Sequence, residues 1–237
     1  MPEAKYALAS LMVLLASALP AAVPAELAAA LASFRQDPPP GWSYTQTIAA
    51  DGRSTVERCD AARPEFARWS LVRKDGRAPT EEESRTYRET RTQRSRAGTA
   101  PRLAEQVDTT TARLVSQDDT RATYECRLKP ADSGDRTAEH LLATIVVHRP
   151  TASIERVVLA STGSFRPAIG VEITSLRTTL DYDPPADGRP VLPRTVETRL
   201  RGSAFWFKSL DADMTITFTD YLRAALARPP DGSAKQP

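Results

Sequence analysis

The chain has 237 residues, with 32 Lys and Arg against 30 Asp and Glu, a formal net charge of +2 at pH 7 and 41% hydrophobic residues. That balance excludes bulk nucleic-acid binding, which needs a concentrated basic face, and it excludes an acidic disordered chain. A length of this order suits one large domain or two small ones, able to bury roughly 70% of the unfolded surface.

In chain order, Lys5 precedes an apolar run over 7–19 that is too short to span a bilayer comfortably. Val23-Pro24-Ala25 follows in a small-x-small arrangement, so 1–25 reads as a secretory signal peptide, with an N-terminal membrane anchor as the competing reading. The expected location is periplasmic, across the inner membrane. Residues 26–227 are expected to form one domain, and the tail 228–237 lacks any apolar period and is expected to be disordered. The stretch 25–35 predicts a helix with Leu27, Leu31 and Phe34 on one face, stopped by Asp37-Pro38-Pro39-Pro40-Gly41.

Beyond it the period changes to alternation. Eleven strands are predicted, at about 42–49, 54–60, 67–73, 111–117, 121–128, 141–148, 153–162, 170–182, 191–201, 203–208 and 213–220. Turn residues such as Asp51-Gly52, Asp118-Asp119, Pro184-Pro185 and Asp211 separate them, which predicts an antiparallel sheet. Pro64 cannot donate to a ladder, so the third strand should begin there or lie at an edge. The segments LLATIVVH and IERVVLA are apolar on both sides and predict central strands covered twice.

One helix interrupts the strands. Over 80–97, Thr80 and Glu83 form a capping box, and Arg85, Arg88, Arg91 and Arg94 recur at intervals of three, with Tyr87 the one large apolar group. A helix that polar does not sit in a core; it is solvated, mobile or laid over an opening. Its arginines suit anionic lipid head groups, or else a solvated face with internal Glu–Arg pairs.

Several strands have one apolar face. Trp42 shares a face with Tyr44, Trp69 with Leu71, Phe205 with Phe207, and Met214 with Ile216 and Phe218. These faces either pack on the N-terminal helix as core or line a pocket in a curved sheet that helices fill only in part. Cys59 and Cys126, the only cysteines, admit either one bridge or two buried thiols.

The front of the chain resembles the LolA-type periplasmic lipoprotein carriers. The resemblance rests on the short helix, on Tyr44-Thr45-Gln46-Thr47 opening the first strand, and on Arg63-Pro64 with four residues between it and Trp69; it covers about 42–76. It implies the fold shared by LolA, LolB and RseB: an α+β, antiparallel, incompletely closed barrel of about eleven strands with helices against the concave face. It further implies a hydrophobic cavity for acyl chains, which the apolar strand faces of Trp42, Tyr44, Trp69, Leu71, Phe205, Phe207, Met214, Ile216 and Phe218 are then expected to line. Arg63 matches the arginine that gates the lid in that family. The chain departs from the pattern where Asp75-Gly76 leads into the charged helix instead of another strand.

Catalytic groups are not suggested. His140 and His148 flank one strand without a neighbouring nucleophile or carboxylate motif, the serines lack a nucleophile elbow, and Asp211-Ala212-Asp213 reads as a turn. No enzyme activity, metal or cofactor is therefore expected. The expected partner is an acylated lipoprotein or another lipid, with transient contact to an envelope membrane or membrane protein, no nucleic acid, and a monomeric chain. Two functions fit: a carrier or chaperone for acyl chains, or a non-transporting sensor or protein-interaction module in the manner of RseB.

Overall fold

A computed structural model describes residues 23–96, 102–130 and 137–224, the side chains of 92–96 excepted. Residues 1–22 of the signal peptide expected over 1–25, and the tail 228–237, lie outside these residues.

Helix α1, Ala25–Ser33, is alanine-rich and ends where Phe34 turns extended ahead of the prolines. Leu27, Ala30 and Leu31 are buried on its inner face. Its first turn is tied down through Glu26, which accepts from Tyr124 OH at 3.2 Å and lies 3.3 Å from Arg149. Phe34 meets Tyr182 edge to face at 4.9 Å.

Twelve antiparallel strands follow: β1 Trp42–Ala50, β2 Arg53–Cys59, β3 Trp69–Lys74, β4 Val107–Gln117, β5 Arg121–Leu128, β6 Leu141–His148, β7 Ser153–Ser161, β8 Phe165–Ala168, β9 Val171–Asp183, β10 Leu192–Ala204, β11 Lys208–Ser209 and β12 Ala212–Arg223. Between β3 and β4 come α2, Glu81–Arg96, and the short α3, Leu103–Gln106. The hairpin turns Asp51-Gly52 and Asp75-Gly76 have both residues at positive φ, the conformation two-residue hairpins require.

The strand order is β3-β2-β1-β12-β10-β9-β7-β6-β5-β4, with β8 on β9 and β11 on β10. The first three strands step out to one edge. Helices α2 and α3 then carry the chain to the opposite edge, and β4 to β12 return until β12 pairs with β1. The edge strands β3 and β4 do not pair with each other, so the sheet is not closed.

Pro64 precedes a single 3-10 turn, Glu65–Ala67, immediately before edge strand β3. Cys59 and Cys126 are buried free thiols, because β2 and β5 lie near opposite ends of the strand order and no bridge can reach across. β6 and β7 are interior strands. In β6 the expectation of two covers fails, because Ala143, Ile145 and Val147 are buried on the helix side whereas Leu142, Thr144 and Val146 remain half-buried; in β7 the adjacent Val157 and Val158 are both buried, so that strand is covered twice at this point.

One cross-strand row runs nearly the width of the sheet. Thr55 pairs with Ile48, Ile48 with Ile216, Ile216 with Val196, Val196 with Leu180, Leu180 with Val157, Val157 with Ile145, and Ile145 with Tyr124. From Leu180 to Tyr124 this row is the core beneath α1 and α3, together with Leu103 and Val107. A nine-residue helix spans only about 14 Å, whereas ten strands at their usual spacing span roughly 40 Å. The helix therefore covers one half of the face and leaves the β3-to-β10 half without it.

Candidate functional site

That uncovered half holds a cavity of about 1370 Å³. Alternation along β1 turns Tyr44, Gln46 and Ile48 into it; β2 contributes Thr55 and Glu57, and β3 contributes Trp69 and Leu71. Met214, Ile216 and Phe218 of β12, with Val196 and Leu180 beyond, complete the apolar floor. Segment 34–38 with Pro40 walls one side, and Thr86, Tyr87, Thr90 and Arg91 of α2 roof it.

The roof is held at its start by the capping box. Thr80 N–H donates to Glu83 Oε2 at 2.9 Å, and Glu83 N–H donates to Thr80 Oγ1 at 3.2 Å. Arg77 and Lys74 also reach Glu83, at 2.8 and 3.0 Å. The Arg77 guanidinium, then the Thr80 amide and the Lys74 ammonium, hold the Glu83 carboxyl far below the usual carboxylate range.

Two contacts fasten the middle of α2 to the sheet. Tyr87 OH donates to Glu57 Oε2 at 3.0 Å, and Gln46 Nε2 donates to the same oxygen at 2.8 Å. Glu57 is only 4% exposed, so these donors replace the water its carboxylate has lost. The second fastening is Arg91, whose guanidinium carbon lies 3.7 Å from the Trp69 ring centroid, a cation–π pair.

Below it sits an aromatic cluster centred on Tyr44, with Trp69 edge-on at 5.6 Å, Phe218 at 5.9 Å and Tyr221 at 5.6 Å. Burial raises the Tyr44 phenol well above its ordinary value, helped by Cys59, and also raises the Cys59 thiol. At this site both groups stay protonated and inert near neutral pH. The arrangement can therefore shelter an apolar chain over an aliphatic floor and meet a polar head with Glu57, Lys74 or Arg91.

Tyr44, Trp69, Leu71, Met214, Ile216 and Phe218 come together as the strand alternation predicts. Three expected lining residues do not. Trp42 lies opposite Arg223, past a register shift at Asp220 (φ +54), and lines a separate surface cleft with Gly41 and Arg189. Phe205 and Phe207 were expected on a strand over 203–208. The chain instead makes a hairpin turn there between β10 and β11, with Phe205 and Trp206 at positive φ, and the alternation that would have aimed the rings inward is lost. Arg63 is exposed, pairs with Asp60 at 3.1 Å, and does not line the cavity.

The contacts to α2 were missed. Glu57 shares a face with Cys59 by simple alternation, so a carboxylate on a buried face was available as a signal. The pairing of Tyr87 and Arg91 with that face was not, because it depends on where α2 crosses. Among the described residues no group of three His, Cys, Asp or Glu is placed to hold a metal ion, and no helix is long and apolar enough to cross a membrane. No protein-family model, curated protein or solved structure matches the chain.

Proposed function

We propose that the chain is a periplasmic carrier or chaperone that shelters the acyl chains of a lipoprotein, or another lipid, in the cavity under α2. In this reading the unclosed sheet is an incompletely closed barrel of the LolA type. The single supporting observation is that the face from β3 to β10 keeps a hollow of about 1370 Å³ over an aliphatic floor while α1 fills the other half. Pockets for drug-sized ligands are about 300–1,000 Å³, so this hollow has room for a long chain. Ten buried methylenes contribute about 8 kcal/mol before the costs of association, so affinity needs no catalytic group.

In this reading α2 is the gate, and Tyr87 and Arg91 replace Arg63 as the residues that hold it. Glu57, Lys74, Glu82, Glu83 and Arg91 on the cavity wall also favour the second reading, a non-transporting envelope sensor or protein-interaction module. Native mass spectrometry of protein purified from the periplasm separates the two. Co-purified acyl lipid, exchangeable for a fluorescent fatty acid, supports the carrier. A clean apo mass with no uptake of that fatty acid defeats it. Ile216→Trp should fill the floor by about two methylenes and weaken fatty-acid binding roughly 15-fold.

A further inference from the structure

Four exposed large apolar side chains lie on two adjacent hairpin tips. Ile169 is 99% exposed in the β8–β9 turn, while Trp206 at 90%, Phe207 at 87% and Phe205 at 59% form the β10–β11 turn. The tips are one structure. Phe205 N–H donates to Gly170 O at 2.6 Å, and a Cβ on Gly170 would sit 3.0 Å from the Phe205 ring. They also project: β12 begins opposite Leu200 and β7 leaves β9 at Arg177, so the ends of β9 and β10 continue past both neighbours, flanked only by the short β8 and β11.

The residue choice in the turn runs against both solubility and conformation. Phe205 at φ +51 and Trp206 at φ +64 occupy the left-handed region, where a hairpin ordinarily takes Asn, Asp or Gly. Bulky aromatics there cost local strain and expose apolar surface; Phe205 recovers part of this by lying against Gly170, whereas Trp206 and Phe207 stay almost wholly exposed.

Charge narrows the partner. The segments 165–170 and 204–209 carry Arg166 and Lys208 and no carboxylate; Glu172 follows two residues past Gly170, opposite Ser203, and Asp211 lies in the turn between β11 and β12. Asp211 accepts from Gly202 N–H at 3.1 Å. The tip offers four large apolar side chains, against the roughly 20–30 residues a side of a stable protein interface. A tryptophan and phenylalanine wedge with flanking cations is instead matched to the head-group zone of a bilayer.

We propose that the Ile169/Phe205–Phe207 tips are a membrane-docking site that inserts into the interfacial layer of an anionic lipid bilayer. The site does not depend on the carrier reading. It lies at the end of the sheet where the cavity floor reaches Met214, which is paired to Thr198 on the way to the projecting ends of β9 and β10.

The test is flotation of the purified chain with phosphatidylcholine–phosphatidylglycerol vesicles against phosphatidylcholine alone, plus quenching of tryptophan emission by brominated lipid. The parent should float with the mixed vesicles and be quenched. Trp206→Phe should lose the quenching. Trp206→Ser with Phe207→Ser should bind about 30-fold more weakly at an unchanged melting temperature. Failure of the parent to float, equal flotation of the double variant, or quenching that persists in Trp206→Phe overturns the proposal. Ile216→Trp should still float, so a cavity that takes no fatty acid would defeat the carrier reading alone.

Discussion

Tyr87→Phe isolates the fastening of α2, because it deletes one hydroxyl and leaves the ring. The lost bond runs to a buried carboxylate, for which about 1.5–3 kcal/mol is usual; a half-buried donor belongs at the lower end. Glu57 keeps its bond from Gln46, so its carboxylate is not orphaned. A loss of about 1.5 kcal/mol raises the population of lifted α2 roughly tenfold. Limited trypsinolysis reads this directly, since Arg85, Arg88 and Arg91 lie on the helix and cleavage follows the open population when reclosing is fast. The control is Tyr221→Phe, which removes a 2.8 Å bond to Pro193 O away from α2 and should leave the cleavage rate alone. Cleavage of Tyr87→Phe within twofold of the parent, at matched urea stability, would refute a roof held by Glu57.

Leu27→Ala, at a fully buried position under the sheet, should cost about 2–5 kcal/mol in urea unfolding, and a smaller loss would mean that α1 is not integral to the core. The depressed Glu83 carboxyl gives α2 a pH dependence: its contribution is complete above the unfolded pKa near 4.3 and is lost as pH falls through the lower folded value. Hydrogen-exchange protection of 81–85, corrected for intrinsic rates, should therefore be flat from pH 7 to about 5 and fall below about 4; unchanged protection at about pH 3 would exclude the ion cluster as the anchor. Arg63→Leu should leave fatty-acid release unaltered, since the residue meets Asp60 at the surface, and slowed release would restore it to the gate. Burial raises Cys126 to about 11, so neither it nor Cys59 should react with Ellman's reagent near pH 8 until denaturant is added.

Much of the sheet was legible in local chemistry. The Thr80–Glu83 box, the Asp-Gly turns and the shared face of Met214, Ile216 and Phe218 depend on residues close in sequence, and each has the expected geometry. The strand predicted at 203–208 failed for the opposite reason. Aromatic residues in a hairpin turn look like strand residues, and only their backbone angles distinguish the two. β8 was missed because Phe165–Ala168 is short and contains Pro167. The arginine interval of three suggested one face, yet 100° per residue carries Arg91 inward over Trp69 while Arg88 stays exposed.

Sequence alone determined the class of elements, their antiparallel connection and most of the apolar floor, because strand period, turn chemistry and capping act over a few residues. Which half of that floor became core and which became cavity was a tertiary decision. It follows from a nine-residue helix seated beneath the β5-to-β9 half, and from the β1–β12 pairing that places Ile48 beside Ile216 across most of the chain. Burial of Glu57 under Tyr87, and exposure of Trp206, were decided the same way. A side chain's period says which face it takes, and only the packing of distant segments says what lies against that face.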